Sequence, residues 1–92
     1  MKYELIISED AEKDFLKHRK SGDKAAILKL NDLLNELREH PYSGTGKPKP
    51  LGHDRAGQWS RKITSKHRLV YSVDDEVITV LVISAFGHYS DK

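Results

Sequence analysis

The sequence predicts an α+β fold: a small antiparallel sheet with an N-terminal helical hairpin packed on one face, in the order β-α-α-β-β-β. Three observations predict it. Two N-terminal segments carry apolar residues at helical spacing and meet at a Ser-Gly-Asp turn (21–23). Three later segments have strand character and are separated by tight turns. A short apolar run, "YELIIS" (3–8), precedes both helices.

That run is the first strand. Ser8 then offers an N-cap, with Glu9 and Asp10 in a first turn where the helix dipole favours acids. The helix extends to about Lys20, with Ala11, Phe15 and Leu16 as its apolar stripe. Asp23 caps a second helix, whose Ala26, Ile27, Leu30, Leu33, Leu34 and Leu37 keep a three-and-four spacing until Pro41 ends it. The short link makes the two an antiparallel hairpin. Residues 41–58 hold all three prolines and four of the six glycines and are expected to form a structured loop. "WSRKI" (59–63) reads as a strand, "TSKH" as its turn and "RLVYSV" (68–73) as the return. After the "DDE" turn comes "VITVLVISAF" (77–86). It is the most apolar run and is expected to be the central strand, buried on both faces. The last three strands form a meander, and the first is expected to join beside the last.

The 92 residues suffice for one small domain, 1–92. Cysteine is absent, so disulfides and thiolate metal sites contribute nothing. The N-terminus turns acidic after six residues and no long apolar run occurs, so neither a signal peptide nor a membrane span is expected, and the protein is expected to be cytoplasmic. The net charge of +2 hides a local block: residues 47–68 hold seven Lys/Arg against one Asp, while both flanks are net acidic. One polyanion-binding face follows, not general stickiness.

The densest part is "RKITSKHRLVY" (61–71), which sets Arg61, Lys62, Lys66, His67 and Arg68 on one hairpin. A solvated edge is the plain reading; a surface that holds phosphate is the sharper one. In "RLVYSV", Leu69, Tyr71 and Val73 alternate away from Arg68, Val70 and Ser72. If the Leu–Tyr–Val row meets the helices, Arg68 points to the open face.

"GTGKPKPL" (44–51), "WSRKITSKHRLVYSV" (59–73) and "HY" (88–89) closely resemble the Txe/YoeB toxins of bacterial toxin–antitoxin pairs, within the RelE/ParE superfamily. The resemblance covers nearly the whole chain; its specific part runs from Gly44 to Val73. It implies a ribosome-dependent messenger-RNA endonuclease that inhibits translation, uses side chains in place of a metal or other cofactor, and is held inactive by a cognate antitoxin. It also implies a homodimer. Carried over by position, the catalytic arginine falls on Arg68 and the catalytic histidine on His88, followed by Tyr89 as a base-stacking residue. RNA-contacting strand positions fall on Arg61 and Lys62, and Lys47, Arg55 and Lys66 are expected to add backbone contacts. Two departures stand out. Many of these toxins read "KPEPL", with the glutamate proposed as general base, where this chain has Lys49. A Ser90-Asp91-Lys92 tail also follows a pair that in many members ends the chain.

Metal-free RNA cleavage uses the ribose 2′-OH as nucleophile on the adjacent phosphate. It needs a group to take that proton, one to stabilise the phosphorane and one to protonate the leaving 5′-oxygen. Arginine suits the second task, because its planar fork binds phosphate oxygens and stays charged. Histidine, with an ordinary pKa of about 6.5, suits the third. A lysine serves as base only where its surroundings bring it far below about 10.4; otherwise it clamps phosphate. Two alternatives stay open: a non-enzymatic ParE-like toxin, or a nucleic-acid-binding module whose catalysis is lost at Lys49. Trp59 is read as a packing residue, His18 and His40 as surface residues, and His53 beside Asp54 as a weak acid–base hint. The five histidines show no metal-ligand spacing.

Overall fold

The structure, a computed structural model, describes residues 2–52, 55 and 57–87. Strand β1 (Glu4–Ile7) leads through Ser8 into α1 (Glu9–Ser21). The Ser8 hydroxyl accepts from the Ala11 amide, and Gly22 closes the helix in the left-handed region at φ 76°. Asp23 caps α2 (Lys24–Leu37) by accepting from the Ala26 amide. After a long loop come β2 (Lys49–Pro50), β3 (Gln58–Lys62), β4 (Arg68–Asp74) and β5 (Thr79–Ser84).

The sheet has five strands in the order β1-β5-β4-β3-β2. The fold is α+β with the expected helical hairpin, but the sheet is mixed. β1 lies beside β5, as expected, and runs parallel to it; the other pairings are antiparallel. The short β2 was not expected, because Pro48 precedes it and Pro50 is one of its two residues. It is tolerated at the sheet edge, where Pro50 has no ladder partner to lose on its outer side.

Ala26, Leu30, Leu33 and Leu37 of α2 and Ala11 of α1 pack against Leu69, Tyr71, Val80, Val82 and Ala85 of the sheet side. Each fully buried Leu contributes about 1.5–3 kcal/mol to this layer. β5, expected to be the central strand buried on both faces, is neither: β4 holds the centre of the order with β5 beside it, and Val80 and Val82 face the helices while Leu81 between them is 37% exposed on the opposite face. With helices on one side only, the strand alternates like any half-covered strand.

Two sequence readings are overturned on α1. Leu16, expected on the apolar stripe, is half exposed, and His18, expected at the surface, is buried. Asp14 and His18 complete the stripe begun by Ala11. Their polarity is satisfied by the end of β5: Asp14 Oδ2 accepts from the Ala85 amide at 2.9 Å, and His18 Nε2 donates to the Ala85 carbonyl at 2.7 Å.

Candidate functional site

Strand register sets the face on which each cation lies. Arg61 pairs with Leu69 and Trp59 with Tyr71, so these share the helix-facing side. Ser60 pairs with Val70 and Lys62 with Arg68, on the side away from the helices, where Ser60 and Val70 are nonetheless buried. On the outer strand Lys49 pairs with Ser60, which puts it on the same side. Three of the expected site residues from three strands, Lys49, Lys62 and Arg68, therefore share the open face. Lys49 and Lys62 are exposed and Arg68 is half-buried at the start of β4. Directly paired residues have Cβ atoms about 4.5–5.5 Å apart, so Lys62 and Arg68 form one doubly charged step. Ser60 is the cross-strand neighbour of Lys49, and its buried hydroxyl has no hydrogen-bond partner among the described residues.

Arg61 does not belong to this surface. Expected as an RNA contact, it is fully buried, and all five of its N–H donors are used inside the protein. Nε donates to the Tyr71 hydroxyl at 3.1 Å. One terminal nitrogen donates to Glu36 Oε1 at 2.8 Å and to the Thr45 carbonyl at 3.3 Å. The other donates to the Ser43 carbonyl at 2.8 Å and to the His40 carbonyl. Tyr71 in turn donates to the Pro41 carbonyl at 2.7 Å. Burial alone would raise the Glu36 carboxyl; hydrogen bonds from Thr45 and Arg61, with the Arg61 charge, outweigh this and hold it below its ordinary value. Burial raises the Tyr71 hydroxyl, and Arg61 partly offsets that.

This buried cation shapes the Gly/Pro loop that leads to Lys49. Its partners Glu36, His40, Ser43 and Thr45 tie residues 40–45 to α2 and β3. At Gly46, where φ is 84°, a side chain would come within 2.9 Å of the Lys62 carbonyl, and the Gly46 carbonyl accepts from the Lys62 amide at 2.7 Å. Lys47 follows in the left-handed region at φ 53°, unusual for a lysine, and is exposed at the turn into β2. Trp59 packs partly against the core and meets the Tyr42 ring edge-on at 5.1 Å, as its packing role requires.

The remaining expected RNA-binding residues are not part of these paired rows. Lys66 is exposed in the β3–β4 turn. Arg55 is half-buried and donates to Gln58 Oε1 at 3.2 Å. His40 is at the surface, as expected. His88, Tyr89, the Ser90-Asp91-Lys92 tail and the His53–Asp54 pair lie outside the described residues. Gly87, immediately before His88, is nonetheless fixed at Arg68. The Arg68 amide donates to the Gly87 carbonyl at 3.0 Å, and the Gly87 amide donates to His67 Nδ1 at 2.8 Å. Sequence reasoning missed Asp14, His18 and His67 as the residues that hold this end of the chain. Two of the three were legible as polar members of α1's helical stripe, at positions three and seven after Ala11.

A mixed five-stranded sheet with one face under a helical hairpin and the other carrying Lys49, Lys62 and Arg68 defines a small α+β scaffold with cations on the face away from its helices. The chain belongs to the YoeB-like toxin family of bacterial type II toxin–antitoxin systems, whose family model matches residues 7–89. It is 42% identical to toxin YoeB of Escherichia coli K12, over 92% of this chain and 98% of that protein. The solved YoeB/ParE toxin from Agrobacterium tumefaciens is 36% identical with a TM-score of 0.83, covering 94% of this chain and 99% of its own. The YoeB dimer from Staphylococcus aureus is 34% identical with a TM-score of 0.78, covering 97% of this chain and all of its own.

Proposed function

We propose that this chain is a ribosome-dependent messenger-RNA endonuclease in which side chains on the open sheet face bring about cleavage. The observation that carries this reading is the shared face of Lys49, Lys62 and Arg68, with Gly87 fastened at Arg68. The RNA backbone lies across that face. Arg68 stabilises the phosphorane, and Lys49 and Lys62, with Lys47, Lys66 and Arg55 around them, hold neighbouring phosphates. His88 protonates the leaving 5′-oxygen and Tyr89 stacks on a base. Lys49 acts as a phosphate clamp, because an exposed position between prolines lacks the burial that a lysine base requires. The activity is restrained by a cognate antitoxin, in line with the family, and a homodimer is proposed by likeness to the staphylococcal protein.

The substitution at Lys49 favours a second reading, in which the same face binds RNA without cutting it. Translating ribosomes programmed with a defined message separate the two. The endonuclease reading predicts discrete new message ends that disappear when the nucleotide 5′ to the cut carries a 2′-deoxyribose, and that persist under chelation with ribosome integrity checked separately. Stable ribosome binding with uncut message overturns it.

A further inference from the structure

We propose that His67 is a positioning residue for the reaction: its Nδ1 holds the Gly87 amide and so fixes, against Arg68, the point from which the chain runs on to His88. This rests on the endonuclease reading above and adds a role to a residue that carries none in it.

The hydrogen bond settles the state of the ring. A backbone amide only donates, so at 2.8 Å His67 Nδ1 must accept, which requires a neutral imidazole with its proton on Nε2. Gly87 is gripped on both sides by two consecutive residues, its amide by the His67 ring and its carbonyl by the Arg68 amide at 3.0 Å. The grip extends one step back along the chain. The His67 ring lies 4.3 Å from the Phe86 ring, and it meets the His18 ring edge-on at 4.8 Å. His18 and Asp14 hold both backbone groups of Ala85. Lys17 stands 5.2 Å over the Phe86 ring and 3.8 Å from Asp14. Alternate backbone residues are thus held on both sides, Ala85 by α1 and Gly87 by His67 and the first residue of β4, while the Phe86 ring lies against those of His67 and His18.

A brace of this kind matters for chemistry because acid and phosphate clamp must meet one phosphate together, and a misplacement of about 1 Å can cost about 10²-fold in rate. If His67 served only the fold, its loss would lower stability and leave turnover per folded molecule alone. As a positioning residue it alters turnover while ribosome affinity, set by the lysines, stays level.

Two variants divide these cases. His67→Phe keeps a ring against Phe86 and His18 but has no acceptor. His67→Asn places a carbonyl oxygen near the position of Nδ1. Single-turnover cleavage on programmed ribosomes, ribosome affinity, melting temperature and hydrogen exchange at the Gly87 amide are measured for each and for the wild type. The expected result is a loss of about 10²-fold in turnover for His67→Phe at unchanged affinity, faster Gly87 exchange, and recovery of most of the loss in His67→Asn. Wild-type turnover in His67→Phe overturns the proposal, as does an equal loss in both folded variants. If His67→Phe does not fold, the wild-type amide decides: Gly87 exchanging at the rate of an unstructured chain overturns the clamp. Wild-type protein that leaves the message uncut removes the endonuclease reading and this role with it, whereas failure of the clamp alone leaves wild-type cleavage intact.

Discussion

Arg61 and Arg68 lie on opposite faces of one strand pair, and that difference separates a buried structural cation from the residue proposed to act on phosphate. Arg61 shares a face with Trp59 and Ile63, two apolar neighbours at period two, and that alternation is the signal in the sequence that it points inward. Counting cations along the hairpin hid it, because a charge total does not record direction. Removing one partner of a buried charge pair costs about 3–5 kcal/mol, so Arg61→Ala should melt far below wild type. Arg61→Lys should recover little of this, since three donors replace five in a fixed fork. An Arg61→Ala protein that melts like wild type yet loses ribosome affinity would return Arg61 to the RNA surface. Lys49 faces the other way. On the proposed clamp reading, Lys49→Arg should keep most turnover, while Lys49→Ala should weaken ribosome binding more than turnover. A near-dead Lys49→Arg variant with unchanged affinity would identify Lys49 as the base, because arginine does not give up its proton.

At the scale of elements, the helices, their Ser8 and Asp23 caps, the α2 stripe and the meander were all legible, because each follows from local spacing. The direction of β1 and the existence of β2 were not. A four-residue edge strand looks the same parallel or antiparallel, and a two-residue strand that contains a proline shows no alternation at all. His88 and Tyr89 were named through the resemblance and lie beyond the described residues. One tie between elements was also invisible: Asp75, in the β4–β5 turn, accepts from Tyr3 and from Tyr42, each at 2.6 Å. The bond from Tyr3, then that from Tyr42, hold its carboxyl below the ordinary value, against a small opposing effect of burial. Chiefly through its bond to Asp75, the Tyr42 hydroxyl is pushed up to about 12. A lowered carboxylate stabilises the fold above its unfolded pKa of about 3.9 and ceases to as pH falls through the lower folded value. A raised tyrosine stabilises below about 10 and ceases to as pH rises through its folded value. Thermal melts should therefore decline at both ends of the scale. Asp75→Asn should lower the plateau modestly, since the site is exposed, and flatten the acid limb. An acid limb unchanged in Asp75→Asn would show that this tie contributes nothing.

Across the whole molecule, the two faces of one sheet divide the work. The helical hairpin covers one face and uses its polar members, Asp14, His18 and Glu36, to fasten the loop and chain end that flank the other. That other face carries the basic block as Lys49, Lys62 and Arg68, with Gly87 held beside them. No helix among the described residues is long and apolar enough to cross a membrane. The central claim is that Arg68 acts on the phosphate that reacts and does more than add to a docking charge. Single-turnover cleavage on programmed ribosomes, run for wild type, Arg68→Ala and Lys62→Ala with ribosome affinity measured in parallel, tests it most directly. The account predicts that Arg68→Ala loses about 10²–10³-fold in turnover at nearly unchanged affinity, whereas Lys62→Ala loses affinity and keeps most turnover once saturated. Equal and purely affinity-based losses in both variants, with wild-type turnover restored at saturation in Arg68→Ala, would contradict it.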